Sequence, residues 1–233
     1  MPHVITPYRS VPAEQAVDTA LREADRLGVR LETTGIGSTR YPITTSRVVR
    51  DGVALATGCG KGPGAQGLAS AHFEAIERYL MSTSDNARLV AGAARLMSAP
   101  EVAGQPALGP DLVIQRWAAE FPDSVAACAP HLRPSRPDAE AGPGAVWYPL
   151  FLSDPRYYRR PLPGDSTGAC RALLRYASSL GTAAGVDTPE AVFHGLCELV
   201  EHDAVSHALL RWFVAGEPEL DVVDPESLPE PLR

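Results

Sequence analysis

A chain of 233 residues, 45% hydrophobic and 21% charged, has the composition of an ordinary globular protein, and its length allows one domain with ample core or at most two small ones. A net charge of −7 removes the electrostatic basis for binding nucleic acid or an anionic membrane surface. The opening segment has no signal-peptide character and no apolar run reaches membrane-span length, while Cys59, Cys128, Cys170 and Cys197 form no C-x-x-C pair, so a cytoplasmic protein with reduced thiols is expected.

Residues 12–27 predict an amphipathic helix, with Pro12 early, Ala16, Val17, Leu21 and Leu27 on the apolar side, and Gly28 closing it. Strands are expected at Val29 to Glu32 and Tyr41 to Arg50. The second meets Val53 to Thr57 across Asp51-Gly52, a strong two-residue hairpin signal. Arg40 and Arg47 flank the hairpin and read as solvated strand ends. A glycine-dense loop follows, carrying Lys61, the only lysine in the chain, and leads directly into a helix. Gly58, Gly60, Gly62 and Gly64 are expected to let the backbone approach a ligand, and the N–H groups at the helix start favour an anion. This is no Walker A loop, because Leu55 stands where the first glycine is required and Gly62 follows Lys61 in place of Ser or Thr. Cys59 reads as a small filler residue. At about 100° per residue, Ser70, Glu74, Glu77 and Arg78 share one side of the helix. Ala69, Phe73, Ile76 and Leu80 share the other, which is expected to face the core.

Further along, a helix is expected over Ala87 to Met97, an ordered element over Asp111 to Ala118, and an exposed loop over Pro134 to Gly144. Residues 145–153 read as a buried strand. Tyr157, Tyr158, Arg159 and Arg160 after it read as a packed anchor, with stacking on adenine or a peptide as the alternative. Gly181 and Gly185 mark a turn, Asp187 or Thr188 is a candidate N-cap, and Pro189 and Glu190 suit the first helical turn. Glu190, His194, Glu198 and Glu201 then fall on one side, with Val192, Phe193, Leu196, Leu199 and Val200 on the other. No lysine or arginine lies between Arg175 and Arg211, so these acids lack an i,i+4 partner of opposite sign. Carboxylates from two such helices suit a hard cation such as Mg²⁺, held in part by a ligand's phosphates. Residues 216–233 are acid- and proline-rich and read as a loose tail.

The two acidic stretches resemble the YcaO family. Ser70, Glu74, Glu77 and Arg78, following Gly60-Lys61-Gly62, match its S-x-x-x-E-x-x-E-R signature. Glu190, Ala191, Gly195, Glu198, Glu201, Asp203 and Ala204 match its later segment, with His194 where the family usually has Gln and His202 where it usually has Arg. The resemblance runs over roughly residues 15–216. It implies a mixed α/β (α+β) fold in which two acidic helices face a nucleotide–metal site, in a domain over 1–215 followed by the tail. The implied cofactors are ATP and Mg²⁺. By the same resemblance Glu74, Glu77, Glu198 and Glu201 hold the metal, and Lys61, Ser70, Arg78, Glu190, His194 and His202 contact the nucleotide. The implied activity is phosphorylation of a backbone amide oxygen in a ribosomally made peptide, followed by attack at the amide carbon to give an azoline, thioamide or amidine. Expected partners are a precursor peptide, a separate leader-peptide-binding protein, and a second copy in a homodimer. The alternative is a degenerate or truncated homologue that binds nucleotide or peptide as a scaffold without chemistry.

Overall fold

The computed structural model describes residues 9–37, 42–82, 94–131, 145–159, 161–217 and 224–227. Asp51 and Gly52 adopt φ values of +52° and +77°, the left-handed pair whose twist matches that of the flanking strands. They join β2 (Pro42–Arg50) to β3 (Val53–Lys61) with Arg50 opposite Val53. β1 (Arg30–Gly37) pairs antiparallel on the other side of β2, so among the described residues the sheet runs β1-β2-β3 and β3 is an edge. Arg47 reaches Glu32 across the β1–β2 ladder at 3.6 Å, a strand-face ion pair; Arg40 lies outside the described residues.

Two helices cover one face of this sheet. α1 (Ala13–Arg26) ends at Gly28, whose φ is +65°. Its buried stripe is Ala16, Ala20 and Ala24, while Leu21, expected in the core, is exposed. The small residues let α1 lie close beside α2 (Gly64–Ser82). Together with Val29, Val48, Ala56, Ala75 and Tyr79, Ala24 forms the first hydrophobic core. On α2, Ala69 and Ile76 are buried as expected, but Ala71, His72, Ala75 and Tyr79 are buried too, because α2 meets both the sheet and α1.

The glycines before α2 do different work from that expected of a ligand-cradling loop. Residues 57–61 belong to strand β3, and Gly58 and Gly60 face the helix. A Cβ on Gly58 would stand 2.3 Å from the Ala75 nitrogen, and one on Gly60 would stand 1.8 Å from the Gly67 carbonyl oxygen. Backbone thus packs on backbone, and the glycines set how closely α2 sits on β3. Only Gly62 and Gly64, with φ of +123° and +54°, turn the chain into the helix.

A second three-stranded antiparallel sheet follows, ordered β4 (Arg95–Ser98), β5 (Val125–His131), β6 (Val146–Pro149). It packs with α3 (Ala99–Ala103), α4 (Leu112–Glu120), the short α5 (Leu150–Ser153) and the 3₁₀ stretch Thr167–Tyr176. The core here is Trp117 set edge-on to Phe151 at 5.3 Å, with Ile114, Val102, Cys128, Cys170 and Leu173 around them. Asp111 caps α4 by accepting from the Val113 and Ile114 N–H groups, so the element expected there is confirmed. Two other expectations are corrected. Arg95–Ser98 is strand rather than the end of a helix, the rest of which lies outside the described residues, as does the loop expected over Pro134 to Gly144. The apolar run at 145–153 is half strand and half helix, breaking at Pro149. Tyr157 donates to Asp165 Oδ2 at 2.9 Å and accepts from the Leu162 N–H, making it a packed anchor. No helix among the described residues is long and apolar enough to cross a membrane.

The last long helix, α6 (Thr188–Phe213), starts where expected, with Asp187 accepting from the Glu190 N–H. Its apolar side is not buried. Val192, Leu196, Leu199 and Val200 are all exposed, as are Leu210 and Phe213 further along. Periodicity located this face correctly, but within the described residues no element covers it.

Substituting Gly60 with Ala is expected to cost on the order of 3–5 kcal/mol or to abolish folding, since backbone on both sides cannot yield. Gly35→Ala, where a Cβ meets nothing within 4 Å, should be neutral or slightly stabilising. Urea denaturation of the two variants checks this; equal midpoints would contradict it.

Candidate active site

α2 and α6 share no extensive contact; the turn between Gly181 and Gly185 bridges them. It lies flat on the first turns of α6 because Gly195 and Gly185 are glycines. A Cβ on Gly195 would stand 2.5 Å from the Gly181 carbonyl oxygen, and one on Gly185 would stand 2.8 Å from the Ala191 nitrogen. Pinned there, the turn lies beside carboxylates on two different helices. Gly181 N–H donates to Glu198 Oε2 at 3.1 Å, and the Ala184 N–H lies near Glu77, where it favours the ionised carboxyl.

Glu77 is the electrostatic centre of the arrangement. Burial pushes its carboxyl up to about 7, and the negative charges of Glu198 and Glu74 push in the same direction, against the Ala184 N–H and Arg78. Glu74 sits one turn earlier on α2. Its Oε2 accepts from the Cys59 N–H at 2.6 Å, its other oxygen pairs with Arg78, and Arg78 in turn donates to the Thr57 carbonyl at 2.9 Å. Glu74 therefore has a cationic neighbour on its own helix.

Glu190 also has a partner, one that helical spacing could not reveal. It is 4% exposed, and it accepts from Arg9 Nη1 at 2.8 Å and from the Ser10 N–H at 3.1 Å. Arg9 comes from 181 residues away in sequence, and no local pattern flags it. A second missed feature is His72, buried on α2 with Nδ1 2.9 Å from the Ser46 hydroxyl. Burial holds its pKa below the ordinary histidine value, so it is a neutral strut between helix and sheet.

Of the residues singled out by sequence, Glu74, Glu77, Arg78 and Glu198 are brought together around the turn. Ser70 is half-buried one turn before Glu74, and Lys61 is exposed at the end of β3. His194, Glu201 and His202 are exposed on α6, with no recorded contact to the cluster. Among the described residues, no three His, Cys, Asp or Glu side chains converge into a ready-made cation cage. The donors at the cluster are nevertheless all carboxylate oxygens, close enough for Glu77 to feel both neighbours. That set fits a hard divalent cation whose remaining ligands come from a bound anion, and it does not fit zinc, which prefers nitrogen and sulfur.

A family model described as YcaO cyclodehydratase, ATP- and Mg²⁺-binding, matches residues 59–232, more than half of the chain. The chain belongs to the YcaO family. No curated protein matches it significantly. Among solved structures, it is similar to YcaO from Methanopyrus kandleri bound with AMPPCP and Mg²⁺, with a TM-score of 0.53 and 18% identity over 91% of this chain. The match covers 49% of that protein, so the chain spans about half its length. At this identity the likeness establishes the fold, and the mixed α/β architecture with its two sheets is a YcaO architecture.

The raised pKa of Glu77 sets a sign for stability. The fold accommodates the neutral carboxyl better than the ionised one. The contribution is therefore fully present below about 4.3, the unfolded carboxylate value. It is lost as pH rises through about 7. In the absence of ligand, Glu77→Gln should lose less stability than the parent between these limits. Denaturation midpoints collected across this range test it, and parallel curves would contradict the assignment.

Proposed function

We propose that this YcaO chain binds Mg·ATP at the Glu74–Glu77–Glu198 cluster. There it activates a backbone amide oxygen in a ribosomally made peptide for azoline, thioamide or amidine formation. The observation that carries the reading is Glu77, a half-buried carboxylate set beside Glu198 and Glu74 by a backbone turn. Crowded carboxylates of this kind are satisfied by a divalent cation. Glu74, Glu77 and Glu198 would hold Mg²⁺, with Glu201 reaching it after a rotamer change. Bound Mg·ATP supplies the phosphoryl group that takes the amide oxygen, which leaves as phosphate once a nucleophile has added to the carbon.

The chain's own residues have three tasks in this scheme. The Gly181 N–H orients Glu198 before any ligand arrives, which lowers the reorganisation needed on binding. Lys61, Ser70 and Arg78 line the β3–α2 side and would meet the nucleotide there, as would Glu190, His194 and His202 from α6. The Arg9–Glu190 pair brings a guanidinium to the start of α6, where it compensates the acids of that helix. The substrate would be a precursor peptide presented by a separate leader-binding protein, and the working unit a homodimer.

A second reading is favoured by a specific observation. Glu201 and His202 stand exposed on α6, and a histidine lacks the forked, five-donor guanidinium with which an arginine grips a phosphate. On this reading the chain binds nucleotide or peptide as a scaffold. One experiment separates the two. The chain is incubated with Mg·ATP and a precursor peptide from its own genome, and the peptide is followed by mass spectrometry. Loss of water or replacement of amide oxygen, abolished by Glu77→Gln, is the expected result. ATP binding with an unchanged peptide would favour the scaffold.

A further inference from the structure

At the outer edge of β3, an edge strand among the described residues, two backbone groups are held by side chains. Arg78 Nη1 donates to the Thr57 carbonyl at 2.9 Å, and Glu74 Oε2 accepts from the Cys59 N–H at 2.6 Å. Both strand residues are exposed. The spacing has a specific meaning. A carbonyl at one position and an N–H two residues later, on the same edge, are the pair that a single residue of a parallel neighbouring strand engages through its own N–H and C=O. Arg78 and Glu74, paired to each other, reproduce that donor and acceptor in side-chain form.

We propose that the β3 edge at Thr57 and Cys59 is the docking line for an extended peptide, which adds as a parallel strand when Glu74 and Arg78 leave the edge. The inference rests on the reading that Glu74 and Arg78 turn to metal and nucleotide. Withdrawal of the two side chains uncovers one acceptor and one donor, and backbone–backbone bonds replace them. Strand addition of this kind takes its affinity from the main chain and its selectivity from alternate side chains. It suits a substrate whose reacting group is itself a backbone amide, because the bonds that dock the strand also fix the orientation of its carbonyls. It places the peptide beside Glu74, one helical turn from Glu77. It also imposes an order, since the edge is occupied until the nucleotide site fills. As long as it is occupied, Glu74 and Arg78 protect the edge from pairing with other chains.

The test uses the whole chain and three measurements. Calorimetry with a non-hydrolysable ATP analogue and Mg²⁺ establishes that nucleotide binds. Amide exchange at Cys59 is then followed by NMR; it should speed up when the analogue and Mg²⁺ are added and slow again with a blocked octapeptide of alternating valine and serine. That probe should bind roughly tenfold more tightly in the presence of nucleotide, and a fully backbone-N-methylated version should not bind. Cys59→Pro, which deletes the edge N–H at a position where an edge strand tolerates proline, should lose probe binding. The peptide comparison stands even if that variant does not fold. Unchanged exchange at Cys59 with nucleotide bound, or equal binding of the methylated peptide, would overturn the proposal. Absence of nucleotide binding would remove the reading beneath it and the proposal together, and calorimetry distinguishes that failure from the others.

Discussion

The position of every acidic group on α2 depends on how closely that helix lies on β3. Side chains hold an ordinary helix well away from a sheet, but Gly58, Gly60 and Gly67 remove them at the crossing, so backbone rests on backbone. The consequence reaches the site directly. Only at that separation can Glu74 reach over the strand edge to the Cys59 N–H, and Arg78 to the Thr57 carbonyl. Glu77, one turn on, is then carried toward the turn at 181–185. Glycine is required here because no other residue leaves room, and the resulting precision is the precision of main-chain contact.

The second constraint is electrostatic and acts against the first. Folding concentrates Glu77, Glu74 and Glu198 in a partly buried space, and the elevated carboxyl of Glu77 measures what that costs. The protein reduces the strain with neutral donors from the turn and with arginines set to the side: Arg78 on Glu74, and Arg9 on Glu190. Among the described residues, Arg78 is the one cation whose charge acts on Glu77. Such a group is stable enough to fold and retains a strong preference for a bound cation. Structure and proposed chemistry meet at this residue.

The hairpin, the close of α1, the start of α4 and the α6 cap were legible because each is written locally, in Asp51-Gly52, Gly28, Asp111 and Asp187. The acidic faces were legible for the same reason, since helical periodicity is a property of neighbours in sequence. What escaped was long-range. The glycine density of 57–64 is consistent equally with a ligand loop and with a strand pressed by a helix, and only the position of α2 decides. Arg9 reaches Glu190 across nearly the whole described chain. The apolar positions of α6 were identified correctly as a face, but periodicity says nothing about what covers a face. Here they stand exposed in a chain that spans about half the length of the YcaO protein it resembles in fold.

On the proposed reading, Glu77 on α2 and Glu198 on α6 serve one cation together beside the 181–185 turn. A double-mutant cycle measures this directly. Affinity for Mg²⁺ with an ATP analogue is determined by calorimetry for the parent, Glu77→Gln, Glu198→Gln and the double variant. Carboxylates sharing one ion should each lose roughly tenfold or more alone, while the double variant should be little worse than either, a coupling of at least about 1 kcal/mol. Strictly additive losses, or affinity unchanged in both single variants, would contradict the account.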